Sequence, residues 1–153
     1  MKLFCTLLLL LATNQLLAQD YILKTKNKVE RKLDKFYTKT GRPFSKEELS
    51  NVLEYTVNDS LSLPFTLKLY FDKTTNRCMV EEKIFTCDSC MRKHLAAILS
   101  RSYPKFYPGE DGSYRSKFPS STYMETVVAN NLYILRLTYQ GWKGGKNEHF
   151  VDR

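Results

Sequence analysis

Hydrophobic positions change their spacing along this chain, and each change marks an element. From residue 21 to about 39, Ile22, Val29, Leu33 and Phe36 recur at intervals of seven, four and three, one stripe of an amphipathic helix. The opposite face carries Lys24, Lys26, Lys28, Arg31, Lys32, Lys35 and Lys39, with Glu30 and Asp34 the only acids, and Gly41 and Pro43 end the run. Ser45-Lys46-Glu47-Glu48 reads as a capping box, which predicts a short helical turn through Leu49 and Val52 and then a strand to about Asn58. Phe65, Leu67, Leu69 and Phe71 alternate with polar residues, the period of a half-buried strand. After the turn-rich stretch Asp72–Asn76, residues 77–86 alternate again, with Cys78, Val80 and Ile84 on one face and Glu82 sharing it at the sheet margin. Thr86 or Asp88 caps a second helix whose stripe is Met91, Leu95, Ile98 and Leu99, and Pro104 stops it. Tyr103 to Ser121 has no clear period. Tyr123–Ala129 and Leu132–Tyr139 then form a hairpin about Asn130-Asn131.

This order predicts a two-layer α+β domain: an antiparallel sheet of about five strands with two main helices packed on one face. The two halves share an order of helix then hairpin, but their residues do not repeat.

The start of the chain has a different pattern. Lys2 precedes an apolar run from Leu3 to Ala12 with five consecutive leucines, and Leu17-Ala18-Gln19 follows a polar break. That is the layout of a secretory signal peptide. The run is far shorter than the ~20 residues that span a bilayer as a helix. The residue after the expected cut at Gln19 is Asp20, not the cysteine of a lipoprotein. The expected organisation is therefore a signal peptide over 1–19, a single α+β domain over 20–141 and a polar, glycine-rich tail over 142–153. The expected address is exported, periplasmic or secreted, with no stable membrane anchor. The mature chain of 134 residues is one domain by size and long enough to bury a core without compulsory staples. Aromatics at 13% argue against disorder. Loss of Lys2 takes the formal charge from +8 to +7, which favours anionic surroundings without naming one.

A basic amphipathic helix after a signal peptide, then Leu67-Lys68-Leu69-Tyr70-Phe71-Asp72 and Asn76-Arg77-Cys78, resembles small exported bacterial α+β proteins of unknown function. The layout is similar to that of the beta-lactamase inhibitor protein family and of SmpA-like outer-membrane assembly modules. The resemblance covers about residues 21–100 and rests on the order of elements. It implies a non-enzymatic binding or envelope role.

Cys78, Cys87 and Cys90 follow the leader, and an exported location favours disulfides. If residues 78–87 form one strand, nine steps separate Cys78 from Cys87 by roughly 30 Å. A disulfide needs Cα atoms about 4.4–6.8 Å apart, which leaves Cys87–Cys90 as the local candidate. A thiol pair at a strand-to-helix junction also has a redox reading, because a helix N-terminus stabilises a thiolate. Asp88 opposes a thiolate there, and the βαβ unit of thioredoxin-like oxidoreductases is missing. A metal reading would use Cys87, Cys90 and His94, but lacks a fourth ligand. No metal and no cofactor are expected.

His94 and His149 are the only histidines, and neither accompanies a Gly-x-Ser-x-Gly elbow. His94 lies beside the stripe of its helix and is expected on the surface. Glu81 and Glu82 point to opposite faces of a strand and cannot act together on one substrate. The remaining candidates are for binding: Phe106, Tyr107, Tyr114 and Phe118 interleave with Arg115 and Lys117 in the irregular segment 103–123. The expected function is an exported non-catalytic binding or scaffold domain with that segment as contact surface, and the alternative is a thiol-redox protein using Cys87/Cys90. The expected partner is an envelope or extracellular protein or an anionic polymer, and nucleic acid is not expected.

Overall fold

A computed structural model describes residues 21–58, 64–102, 104–116 and 121–141; the leader and the tail lie outside them. Residues 21–24 make a turn beside the start of the 78–85 strand, with Leu23 at φ 64° and Lys24 N–H donating to the Tyr21 carbonyl at 3.0 Å. Leu23 N–H donates to the Cys78 carbonyl and Cys78 N–H to the Lys24 carbonyl, each at 2.8 Å. Ile22 is buried in this lead-in rather than on the helix stripe. Helix α1 covers Lys26–Thr40 and turns Val29, Leu33 and Tyr37 inward. Gly41, in the left-handed region at φ 64°, closes it.

Strands β1 (Phe44–Leu49) and β2 (Val52–Val57) form a hairpin about Ser50 and Asn51. The helical turn expected at Ser45–Glu48 is therefore strand. After Phe44 every residue of β1 is exposed, so the edge strand has no alternation to read. Its charges go to α1: Lys46 Nζ bonds Glu30 at 2.8 Å and Asp34 at 2.9 Å, and Glu48 takes Lys26. Strands β3 (Phe65–Phe71) and β4 (Cys78–Phe85) form the next hairpin, whose turn is held by Asp72 Oδ1 accepting from Thr74 N–H and from the N–H and hydroxyl of Thr75. Helix α2 covers Asp88–Leu99. The segment expected to be irregular contains a short strand pair, β5 (Tyr107–Pro108) and β6 (Tyr114–Ser116). Strands β7 (Thr122–Ala129) and β8 (Leu132–Tyr139) complete the fold, with Asn130 and Asn131 both at positive φ in the turn.

All eight strands join one antiparallel sheet in the order β1-β2-β3-β4-β8-β7-β6-β5. The sequence pattern predicts about five; β1, β5 and β6 are the additions. Each half of the chain is a helix followed by a four-strand meander, and the last strands of the halves, β4 and β8, pair at the centre.

Both helices lie on one side of the sheet. The Tyr55 hydroxyl donates to Asp34 of α1 at 2.6 Å, and the Tyr37 ring sits 5.3 Å from Phe44 and 5.8 Å from Tyr55. On the α2 side, the His94 ring packs 4.8 Å from Phe85 and 5.5 Å from Phe65. The core between the layers takes Leu53, Leu67, Leu69, Met124 and Leu135, each fully buried.

One bulge resets the face of β4. Tyr70 pairs with Val80 but Phe71 pairs with Cys78, so Met79 is extra. Cys78 therefore turns to the helix side with Glu81, Lys83 and Phe85, while Val80, Glu82 and Ile84 turn to the other. The sequence reading put Cys78 and Val80 together, because strict alternation cannot show a bulge. Glu82 is not marginal either: β4 is a central strand and Glu82 is buried. Glu81 and Lys83 form an ion pair of 3.1 Å beneath the helices, and Tyr21 N–H donates to Glu81 at 3.2 Å.

Candidate functional site

The face opposite the helices carries three cross-strand rows. The first crosses all eight strands: Leu49, Val52, Tyr70, Val80, Thr138, Tyr123, Arg115 and Tyr107, each directly opposite the next. Its ends are open, with Leu49 56% and Tyr107 52% exposed. At the β5 end it is an alternating stack of cations and rings. Lys105 Nζ lies 5.4 Å from the Tyr107 ring, and the Arg115 guanidinium lies 5.9 Å from the Tyr123 ring.

The second row is charged: Glu47, Glu54, Lys68, Glu82, Arg136 and Glu125. Lys68 bonds Glu54 at 2.9 Å, and Arg136 bonds Glu82 at 2.7 Å and Glu125 at 3.1 Å. The Tyr70 hydroxyl donates to the second oxygen of Glu82 at 2.9 Å, which ties the two rows together. Burial first, and then the Glu82 carboxylate, push the Tyr70 hydroxyl well above the usual phenol value. For Arg136, burial pulls downward, but its hydrogen bond to Glu82 and the Glu82 and Glu125 charges outweigh it and hold the guanidinium above its ordinary value. The third row is Ser45, Thr56, Thr66, Ile84, Ile134 and Val127.

The binding residues expected from the sequence divide between faces. Tyr107 and Arg115 stand exposed on the open face. Phe106 is a correction: it is 8% exposed and belongs to the core. Tyr114 is a second, since it pairs with Met124 on the helix side and packs against the core. Aromatics next to one another in an alternating strand must point opposite ways, and the sequence reading had no strand there. Lys117 and Phe118 lie outside the described residues. The other members of the rows, above all Tyr70, Tyr123, Glu82 and Arg136, were not singled out as binding residues. Their signal is the polar phase of each alternating strand, and only the register between distant strands aligns it.

Cys87 and Cys90 stand as a disulfide, with Cα atoms 5.3 Å apart. Cys87 is also the N-cap of α2, its sulfur accepting from Cys90 N–H at 3.1 Å, so the cap is neither Thr86 nor Asp88. Asp88 instead bonds Arg92 one turn on. The Cys78 thiol is buried and donates to the Val80 carbonyl at 3.4 Å. His94 corrects the surface expectation, since its ring packs on two phenylalanines. Burial first, then Lys83 and Arg101, lower its pKa to about 4. The two sulfurs are bonded to each other, and the imidazole packs on the Phe65 and Phe85 rings. Among the described residues no helix is long and apolar enough to cross a membrane.

No family model, no curated protein and no solved structure matches this chain.

Proposed function

We propose that this chain is an exported, non-catalytic binding domain whose open sheet face engages a folded protein partner. The observation that carries the reading is the first row, continuous across eight strands on the face that neither helix covers. Seven inter-strand steps at ~4.8 Å give it a length of about 34 Å, and three rows make it roughly 15–20 Å deep. That is several hundred Å², of the order of the ~800 Å² per partner in a stable interface. Tyrosine and arginine, which dominate the exposed end of the row, are the residue types enriched at interface hot spots. The charged row is largely paired within itself, so covering it strands few charges. The layout resemblance drawn from the order of elements points to the same kind of role. The Cys87–Cys90 bridge is read as the structural cap of α2 rather than as a redox centre.

The test compares retention of envelope proteins by the wild-type chain with two variants. The triple variant Leu49→Ser/Tyr107→Ser/Arg115→Glu alters only exposed positions of the row and is expected to lose a specific partner while melting within a few degrees of wild type. Phe106→Ser is expected to melt much lower, because a buried aromatic lost from a core costs about 3–5 kcal/mol. A partner retained equally by the triple variant would remove the open face as the contact surface.

A further inference from the structure

A second surface lies on the opposite side of the molecule. Lys28, Lys32, Lys35 and Lys39 follow one another at intervals of four, three and four, so they share one side of α1, with Arg31 beside them. All five are exposed. Among the described residues none of the five makes an ion pair. The reason lies in β1. The two acids of α1, Glu30 and Asp34, sit on the flank facing the sheet, and Lys46 engages both. Lys26, the one helix cation on the inner side, is likewise neutralised by Glu48. What remains outward is charge of one sign. Lys32 registers this: partial burial first, and then Lys24 and Lys28, lower its pKa.

We infer that this stripe docks the protein on an anionic lipid surface, leaving the open sheet face turned away from the bilayer. The shape favours a plane over a pocket. From Lys28 to Lys39 the stripe runs about 17 Å along a straight helix. Four of its five members are lysines, point charges on flexible stems that suit a field of headgroups rather than the fork geometry of one phosphate. No aromatic shares the stripe to stack on bases, which separates it from single-strand nucleic-acid surfaces. No exposed apolar residue of α1 is available to insert, so binding is electrostatic, reversible and salt-sensitive. The inference does not depend on the partner proposed for the sheet, because the two surfaces share no residue.

The test is sedimentation of the exported chain, free of residues 1–19, with phosphatidylcholine vesicles that contain or lack one phosphatidylglycerol in three. Binding is expected only to the anionic vesicles and is expected to disappear in half-molar salt. Each lysine near such a surface is worth about fivefold in affinity. Lys28→Gln/Lys32→Gln/Lys35→Gln should therefore weaken binding about a hundredfold, and Lys35→Gln/Lys39→Gln should do so less severely. Arg115→Gln, on the other face, should bind as wild type does. Circular dichroism of each variant checks that the helix is intact, and glutamine is a good helix former. No binding to anionic vesicles, equal binding to neutral ones, undiminished binding by a folded α1 variant, or preferential binding to a soluble acidic polysaccharide or duplex DNA of matched charge would each overturn the inference.

Discussion

Glu81 and Lys83 stand two residues apart on β4, and the bulge at Met79 turns both beneath the helices. Removing two ions from water costs several kcal/mol each, and their mutual attraction returns much of it only while both are present. Glu81→Leu or Lys83→Met alone is expected to cost about 3–5 kcal/mol in urea unfolding, because each removes one member of a buried ion pair. The double variant should recover most of that loss, and a double-mutant cycle without coupling would contradict the pairing. His94 belongs to the same buried layer. Its folded pKa of about 4 lies below the ~6.5 of an unfolded histidine, so between those values the unfolded chain binds more protons. The stability that neutral His94 contributes is complete above pH ~6.5 and drains away as pH falls toward 4, by an amount on the order of 3 kcal/mol. Unfolding measured across that window should be steeper for wild type than for His94→Phe, and parallel slopes would show that the imidazole does not titrate this way.

Elements with one buried and one open face were legible from their letters alone. The β3–β4 and β7–β8 hairpins and both helices stand close to where periodicity places them, because burial imposes the period. Strand β1 was not legible, because an exposed edge has no apolar phase and Ser45–Glu48 satisfies a capping pattern equally well. Strands β5 and β6 were not, because two or three residues cannot establish a period. Helix α2 shows how a cap can hide as well, since its N-cap is a cysteine sulfur in a bridge. A four-residue loop closed by that bridge stabilises by about 2 kcal/mol in the chain-entropy model. Cys87→Ser/Cys90→Ser is expected to lose about that much, and the native bridge is expected to resist dithiothreitol. Ready, reversible reduction with a Cys87 pKa clearly below ~8.5 would instead support thiol-redox chemistry.

At the scale of the molecule the two proposed surfaces face opposite ways, one built on a helix and one on the sheet. Of the eight residues in the first row of the sheet surface, two were visible in the sequence. Tyr107 and Arg115 stood out as an aromatic beside a cation. The row that gives them meaning is assembled from eight strands whose register is set by distant pairings, and no local pattern carries it. The charge stripe was visible throughout; what the fold adds is the removal of its neutralising acids to Lys46.

The central pairing of β4 with β8 has a consequence for partial chains. It is the one seam joining the two four-strand meanders in the sheet, and the strands that meet there run antiparallel. A chain ending after the first meander keeps the β3 side of β4 paired but leaves the hydrogen-bonding groups of Val80–Phe85 that face β8 unanswered. An edge of that kind seeks another strand, and a second copy supplies one with the polarity that β8 has. Chains cut short there are expected to meet one another through the contact that the finished protein makes with itself, and β8 is what closes that edge.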